Sequence, residues 1–195
     1  MPAELETRPV GPPELGVLER LFASERTTRH CWCTAFCTSR ARFAAGWFGG
    51  GNRRRFEALA GGELPMGVLA SRDGEPVGWG AAGPRSRYLG ADPARHPLLR
   101  DRSRAEDGMV WLLPCLVVHA DHRRRGVNHA LVEAAIALAR SHGAVAVEGW
   151  PLAAGEDRPA DAFVGREQLF AELGFQQVDR PAPGRVLVRL DLPTT

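Results

Sequence analysis

The chain has no lysine at all; its 25 basic residues are all arginine. A phosphate loop of the Gly-Lys-Ser/Thr kind is therefore excluded, because its lysine contacts the nucleotide phosphates. Excess charge of one sign is also missing. With 25 basic and 23 acidic residues the net charge is +2, which favours neither nucleic acid nor a membrane surface as partner. No apolar run approaches the roughly 20 residues of a membrane span. The opening MPAELETRPVGPPELG lacks the charged-then-apolar order of a secretory signal. A cytoplasmic protein is the expectation. Tyrosine occurs once, at Tyr88, and cysteine four times, with a disulfide disfavoured in a reducing compartment.

What is abundant is small and apolar. At 195 residues and 44% hydrophobic content the chain suits one compact domain, residues 1–195, with a sizeable core. The arginine, alanine, glycine and proline bias points to a GC-rich coding sequence. Patterning predicts a strand over 4–10, a helix from Pro12 or Pro13 to about Ser24, and an irregular aromatic stretch over 26–51. A short helix over 52–60 follows, then a hairpin of strands 66–71 and 76–82 around Asp73-Gly74. Residues 90–108 read as a long polar, mobile insertion, and the arginines between Arg85 and Arg104 as solvated. Then come a strand over 110–118, a helix to about His142, a strand over 144–150, a helix over 163–173, and strands over 175–179 and 185–192.

The most informative junction is Cys115 to Leu138, CLVVHADHRRRGVNHALVEAAIAL. An apolar strand runs into a short basic turn, and an amphipathic helix opens near Asn128. Backbone N–H groups at such a helix start lack intrahelical partners and face the turn, where Arg123, Arg124 and Arg125 add charge. This suits a diphosphate. No G-x-G-x-x-G occurs at the turn, so it is not the dinucleotide fingerprint.

Arg123-x-x-Gly126-x-Asn128 resembles the Arg/Gln-x-x-Gly-x-Gly/Ala signature of the GNAT acyltransferase superfamily, with Asn128 in the usual Gly/Ala position. A second segment, Leu169-Phe170-Ala171-Glu172-Leu173-Gly174-Phe175, resembles that family's Leu-Tyr-x-x-x-Gly-Phe. Gly174 stands where a left-handed helix cap belongs. Cys31-Trp32-Cys33, Gly74 to Trp79 and Val147-Glu148-Gly149-Trp150-Pro151 further resemble a poorly described bacterial group within the superfamily.

The resemblance implies an α/β fold: a central mixed, mostly antiparallel sheet of about six to seven strands with a V-shaped splay, flanked by about four helices. It implies acetyl-CoA as co-substrate, held by Leu116, Val117 and Val118 on the splayed strand and by Arg123, Arg124, Arg125, Gly126, Val127, Asn128 and His129 at the turn. Phe170 stands where relatives carry a tyrosine that protonates the leaving thiolate. An amine-bearing small molecule or peptide is the implied acceptor, attacked directly in a ternary complex, and a homodimer is compatible with this. The alternative is a catalytically silent acyl-CoA-binding module.

For proton handling, Glu148 is the expected base and Tyr88 the expected acid, with His119 as a second base and Cys115 as a site for a covalent acyl group. Glu148 has a competing reading as a salt-bridged residue, and Cys115 one as a small apolar core residue. His30-Cys31-Trp32-Cys33-x-x-x-Cys37 has soft metal ligands but no usual zinc spacing, so no metal is expected there. Trp32, Cys33, Phe36 and Trp150, with Trp47 and Phe48, are instead expected to wall the acceptor pocket. Trp79 and Trp111 read as core. Arg53-Arg54-Arg55 reads as a solvated face or a contact to the 3′-phosphate of CoA.

Overall fold

The computed structural model describes residues 4–26, 28–88, 97–157 and 163–193. Its strands are β1 (Leu5–Pro9), β2 (Gly67–Arg72), β3 (Glu75–Pro84), β4 (Val110–Val118), β5 (Ala146–Gly149), β6 (Gln176–Ala182) and β7 (Arg185–Asp191). They form one seven-stranded sheet in the order β1-β2-β3-β4-β5-β7-β6. Only β4 and β5 pair parallel; every other pair is antiparallel. A parallel pair needs a crossover, and here it is the helix α5 (Val127–Ser141).

Both faces of the sheet are covered. On β4, Leu116 packs toward Leu131, Val132 and Ala135 of α5, whereas its neighbours Cys115 and Val117 pack toward the opposite layer. That layer holds α1 (Leu15–Ser24), the short α2 (Thr28–Cys31) and α4 (Gly51–Ala60), with Leu18, Leu21, Phe22 and Phe56 as its core. Burial on both faces explains why β4 is apolar throughout instead of alternating. Each such Leu or Phe contributes roughly 1.5–3 kcal/mol through burial.

The region over 26–51, expected to be irregular, contains two short helices, α2 and α3 (Arg40–Ala45). Buried Asn52 ties them to α4: its side-chain amide donates to His30 O at 2.9 Å and Phe43 O at 3.2 Å. The expected polar insertion falls partly outside the described residues, at 90–96. Its described part is exposed over much of its length, as expected, but it is anchored, because Leu99 is fully buried and Asp107 binds Arg85 at 2.9 Å. The last helix, α6 (Glu167–Glu172), starts later than its pattern suggested. Its end is as expected: Gly174 has φ 87°, Phe175 N–H donates to Phe170 O, and Gly174 N–H to Ala171 O. Phe170 and Phe175 meet edge to face at 5.1 Å, completing the hydrophobic closure of this cap.

Candidate active site

β4 and β5 are in register only from Val110↔Ala146 to Leu113↔Gly149, and beyond that point they part. Pro114 follows on β4, and its nitrogen has no hydrogen to offer a partner strand. Its carbonyl accepts from Trp150 Nε1 at 3.1 Å, so an indole stands in the notch where the ladder stops. On the other edge, His119 N–H donates to Val77 O at 2.9 Å. Antiparallel bonds recur at every second residue, which directs the Val117 and Cys115 N–H groups at β3 through Trp79 and Ala81. The N–H groups of Leu116 and Val118 therefore face the opened side. Val117 presents its side chain to the α1 layer.

After β4 the chain turns sharply. Arg124 and Gly126 both take left-handed backbone, with φ 57° and 77°. For Arg124 this costs on the order of 1 kcal/mol, which the surrounding turn offsets. Gly126 caps α5, and the first intrahelical bond is Ala130 N–H to Gly126 O at 3.2 Å. The N–H groups of Val127, Asn128 and His129 thus have no helical acceptor, and no side chain caps the helix. Helix-dipole charge and the guanidinium groups of Arg123 and Arg124 share that end.

These groups open into a cleft of about 530 Å³ between α5 and α6. Val118, His122, Arg123, Arg124, Gly126, Val127, Asn128 and His129 line it. So do Leu169 and Glu172 of the second motif, and Gly165, Arg166 and Gln168, which the sequence pattern did not single out; Arg125 is not among the lining residues. Leu116 and Phe170 lie beside Gly165, where a Cβ would come within 3.2 Å of Leu116 and 3.0 Å of Phe170. Two buried polar atoms on the cleft residues have no partner: Asn128 Oδ1 and His122 Nδ1. His129 Nε2 reaches Glu172 at 2.7 Å, which holds that carboxyl below its ordinary range. Burial, with Arg125 and His119 nearby, holds the His122 ring below its usual value.

Two expected proton carriers are placed otherwise. Glu148 is fully buried, and its carboxylate is bound by arginines on every side. Arg85 Nη1 donates at 2.9 Å, Arg102 Nη2 at 2.6 Å and Arg189 Nη1 at 3.2 Å. Fully buried and paired with three guanidinium groups, Glu148 has the surroundings of a structural ion-pair centre and not those of the expected base. Arg85, expected to be solvated, is itself fully buried and also binds Asp107. Tyr88 is buried among Leu112, Trp150 and Leu187, and its hydroxyl has no partner. Burial pushes that phenol far up, so it releases a proton poorly and is corrected to a core residue.

The predicted acceptor wall is divided. Phe36 packs on Trp150 at 5.0 Å, beside the notch. Trp32 instead meets Phe22 edge to face and Phe56 at a tilt, under the Arg53 guanidinium. With Trp47 and Phe48 it borders a separate cavity of about 320 Å³ on the α1–α4 side. Trp32 and Cys33 both have left-handed backbone, φ 49° and 46°, which brings Cys33 Sγ to 3.3 Å from Cys115 Sγ on β4. Trp79 Nε1 donates to Cys33 Sγ at 3.3 Å. The contact with Cys115, followed by burial, pushes the Cys33 thiol up, and burial pushes Cys31 and Cys37 to about 12. They are neutral thiols at pH 7. Among the described residues no group of three or more His, Cys, Asp and Glu is arranged to hold a metal ion. Arg53 binds Glu19 and Glu57, and the 53–55 run does not line the α5 cleft. His119 caps the turn through Nδ1, accepting from Asp121 N–H at 3.3 Å.

A mixed sheet splayed at its one parallel pair, with a glycine-capped helix pointing into the opening, defines the GNAT class of fold. The Acetyltransferase (GNAT) family model matches residues 27–166, and the chain belongs to that family. No curated protein matches it in sequence. Among solved structures it is similar to the PaiA N-acetyltransferase of Thermoplasma acidophilum in complex with coenzyme A. Identity there is 10%, covering 97% of this chain and 99% of that one, with a TM-score of 0.58. It is also similar to YncA of Salmonella typhimurium with its cofactor acetyl-CoA, at 14% identity, 97% and 94% coverage and a TM-score of 0.54. The ribosomal-protein-S18-alanine N-acetyltransferase of Escherichia coli gives 13%, 98% and 96% coverage, and 0.52. At these identities the likeness is one of fold. No helix among the described residues is long and apolar enough to cross a membrane.

Proposed function

We propose that the protein transfers an acetyl group from acetyl-CoA to an amine of a small molecule or peptide. The observation that carries this reading is the start of α5, where uncapped N–H groups, Gly126 and two lining arginines open into the cleft beside β4. The diphosphate would accept from Val127, Asn128 and His129 N–H and pair with Arg123 and Arg124. The unpartnered His122 ring nitrogen can donate to the same ligand. When bound, acetyl-CoA supplies an activated acyl group. Leu116 and Val118 N–H would hold the pantetheine arm and donate to the thioester oxygen as charge develops on it, a role worth a few kcal/mol, about 3 for one donor. Phe170 closes the inner end of the cleft and carries no proton.

Glu148 is ion-paired and Tyr88 is buried in the core, so the acceptor's proton leaves through water. The notch flanked by Phe36 and Trp150 is where the acceptor would approach, and holding it there supplies much of the acceleration. Cys31-Trp32-Cys33 and the Gly74 to Trp79 hairpin also support placing the chain in a bacterial group within the family.

Isothermal titration with acetyl-CoA, on the wild type and on an Arg123→Ala, Gly126→Asp double variant, tests the cofactor site. Saturable binding lost in the variant is expected, and absence of binding by the wild type would overturn the reading. Thiol release across a panel of amines then tests transfer. Binding with no turnover on any amine would leave an acyl-CoA-binding module.

A further inference from the structure

Of the three turn arginines, Arg123 is already paired. Its Nη2 donates to both oxygens of Glu25, at 3.2 and 3.3 Å, and its Nε to Val118 O at 3.3 Å. Among the described residues Arg124 and Arg125 have no carboxylate partner. Glu25 lies 98 positions away along the chain, at the C-cap of α1, with only 17% of its side chain exposed. A carboxylate there presents two oxygens to a guanidinium, as one edge of a phosphate does. It thus occupies a donor that lines the diphosphate cleft.

Glu25 also supports the start of α2. Its carbonyl accepts from Arg29 N–H at 3.1 Å and from Thr28 Oγ1 at 3.3 Å. Thr28 O in turn accepts from Trp32 N–H at 3.0 Å, and the left-handed Trp32–Cys33 pair sets Cys33 against Cys115 on β4. A continuous run of bonded groups therefore joins the phosphate turn to the corner that carries Trp32.

We propose that Glu25 is a positioning residue of the cofactor site, standing in for the diphosphate on Arg123 when the cleft is empty. The cofactor gains Arg123 only by displacing it, and that displacement loosens the α1–α2 corner. This rests on the acetyl-CoA reading above and adds to it a competitor within the chain and a route from cofactor to acceptor side.

The test is titration of wild type, Glu25→Gln, Arg123→Ala and the Glu25→Gln, Arg123→Ala pair with CoA and with dephospho-CoA. Partly exposed pairs of this kind are worth little, so Glu25→Gln is expected to bind both ligands about threefold more tightly than wild type. In the Arg123→Ala background the same substitution is expected to change nothing, because the competitor has lost its target. Hydrogen exchange at amides 28–33 should rise on CoA binding in wild type and stay level in Glu25→Gln. Unchanged or weaker binding by Glu25→Gln, or a gain that persists without Arg123, overturns the proposal while leaving the cofactor reading intact. A wild type that binds neither ligand overturns both.

Discussion

Replacing Glu148 by glutamine separates a catalytic glutamate from a structural one. The carboxylate is fully buried, as is Arg85, and it also accepts from Arg102 and Arg189. Glutamine keeps the shape and one acceptor oxygen. It removes the charge that three guanidinium groups share, and it turns an NH2 toward Arg85 or Arg102, donor against donor. Breaking a buried pair from one side costs about 3–5 kcal/mol, because the surviving charge stays buried. Asp107 at 2.9 Å and Glu106 at 3.7 Å still serve Arg85, which places the expected loss near the lower end, about 3 kcal/mol. For a chain of this size that lowers the melting temperature by roughly 6–12 °C.

Thermal and urea unfolding of wild type and Glu148→Gln would measure it, alongside kcat at a temperature where both are folded. A large fall in stability with kcat within tenfold of wild type is expected. A melting temperature within 2 °C of wild type, with kcat lost by about a hundredfold or more, would refute the reasoning and restore Glu148 as the base.

Gly78 on β3 lets α5 sit close to the sheet, since a Cβ there would lie 2.5 Å from Val127 Cγ1; Gly78→Ala is expected to displace the start of α5 and weaken CoA binding about tenfold, read by titration. Trp150→Phe removes the donor to Pro114 O and part of a fully buried ring, and should cost about 3 kcal/mol in urea unfolding. Burial first, then Arg125 and His119, hold His122 below 6.5 in the folded state. The unfolded chain therefore takes up this proton first, so stability is full above about pH 6.5 and falls as pH drops through that value toward the folded one. His122→Gln should flatten that part of the stability–pH profile, measured by denaturation at pH 5.5 and 7.5.

The legible parts of the molecule were the local ones. Gly126 and Gly174 announce themselves because each demands left-handed backbone at a helix end, and the residues that bond around them lie within a few positions. The apolar run of β4 shows its double burial directly. The surroundings of the expected acid and base were not legible, for the opposite reason. Arg85, Arg102, Glu148 and Arg189 are separated by 46 to 63 positions along the bonds that join Glu148 to the first two, and by 41 to the last. Nothing near Arg85 in sequence distinguishes a buried arginine from a solvated one. A glutamate on an apolar strand looks like a tuned base whenever its partners come from elsewhere in the chain. The same holds for Glu25, a polar residue at a helix end that acquires a role only because the β4 turn folds back onto it. Local backbone demands thus identify where an anion can bind, whereas the charge balance around that place is set by tertiary contacts. In this chain the two meet at Arg123, supplied by a local motif and neutralised by a distant carboxylate.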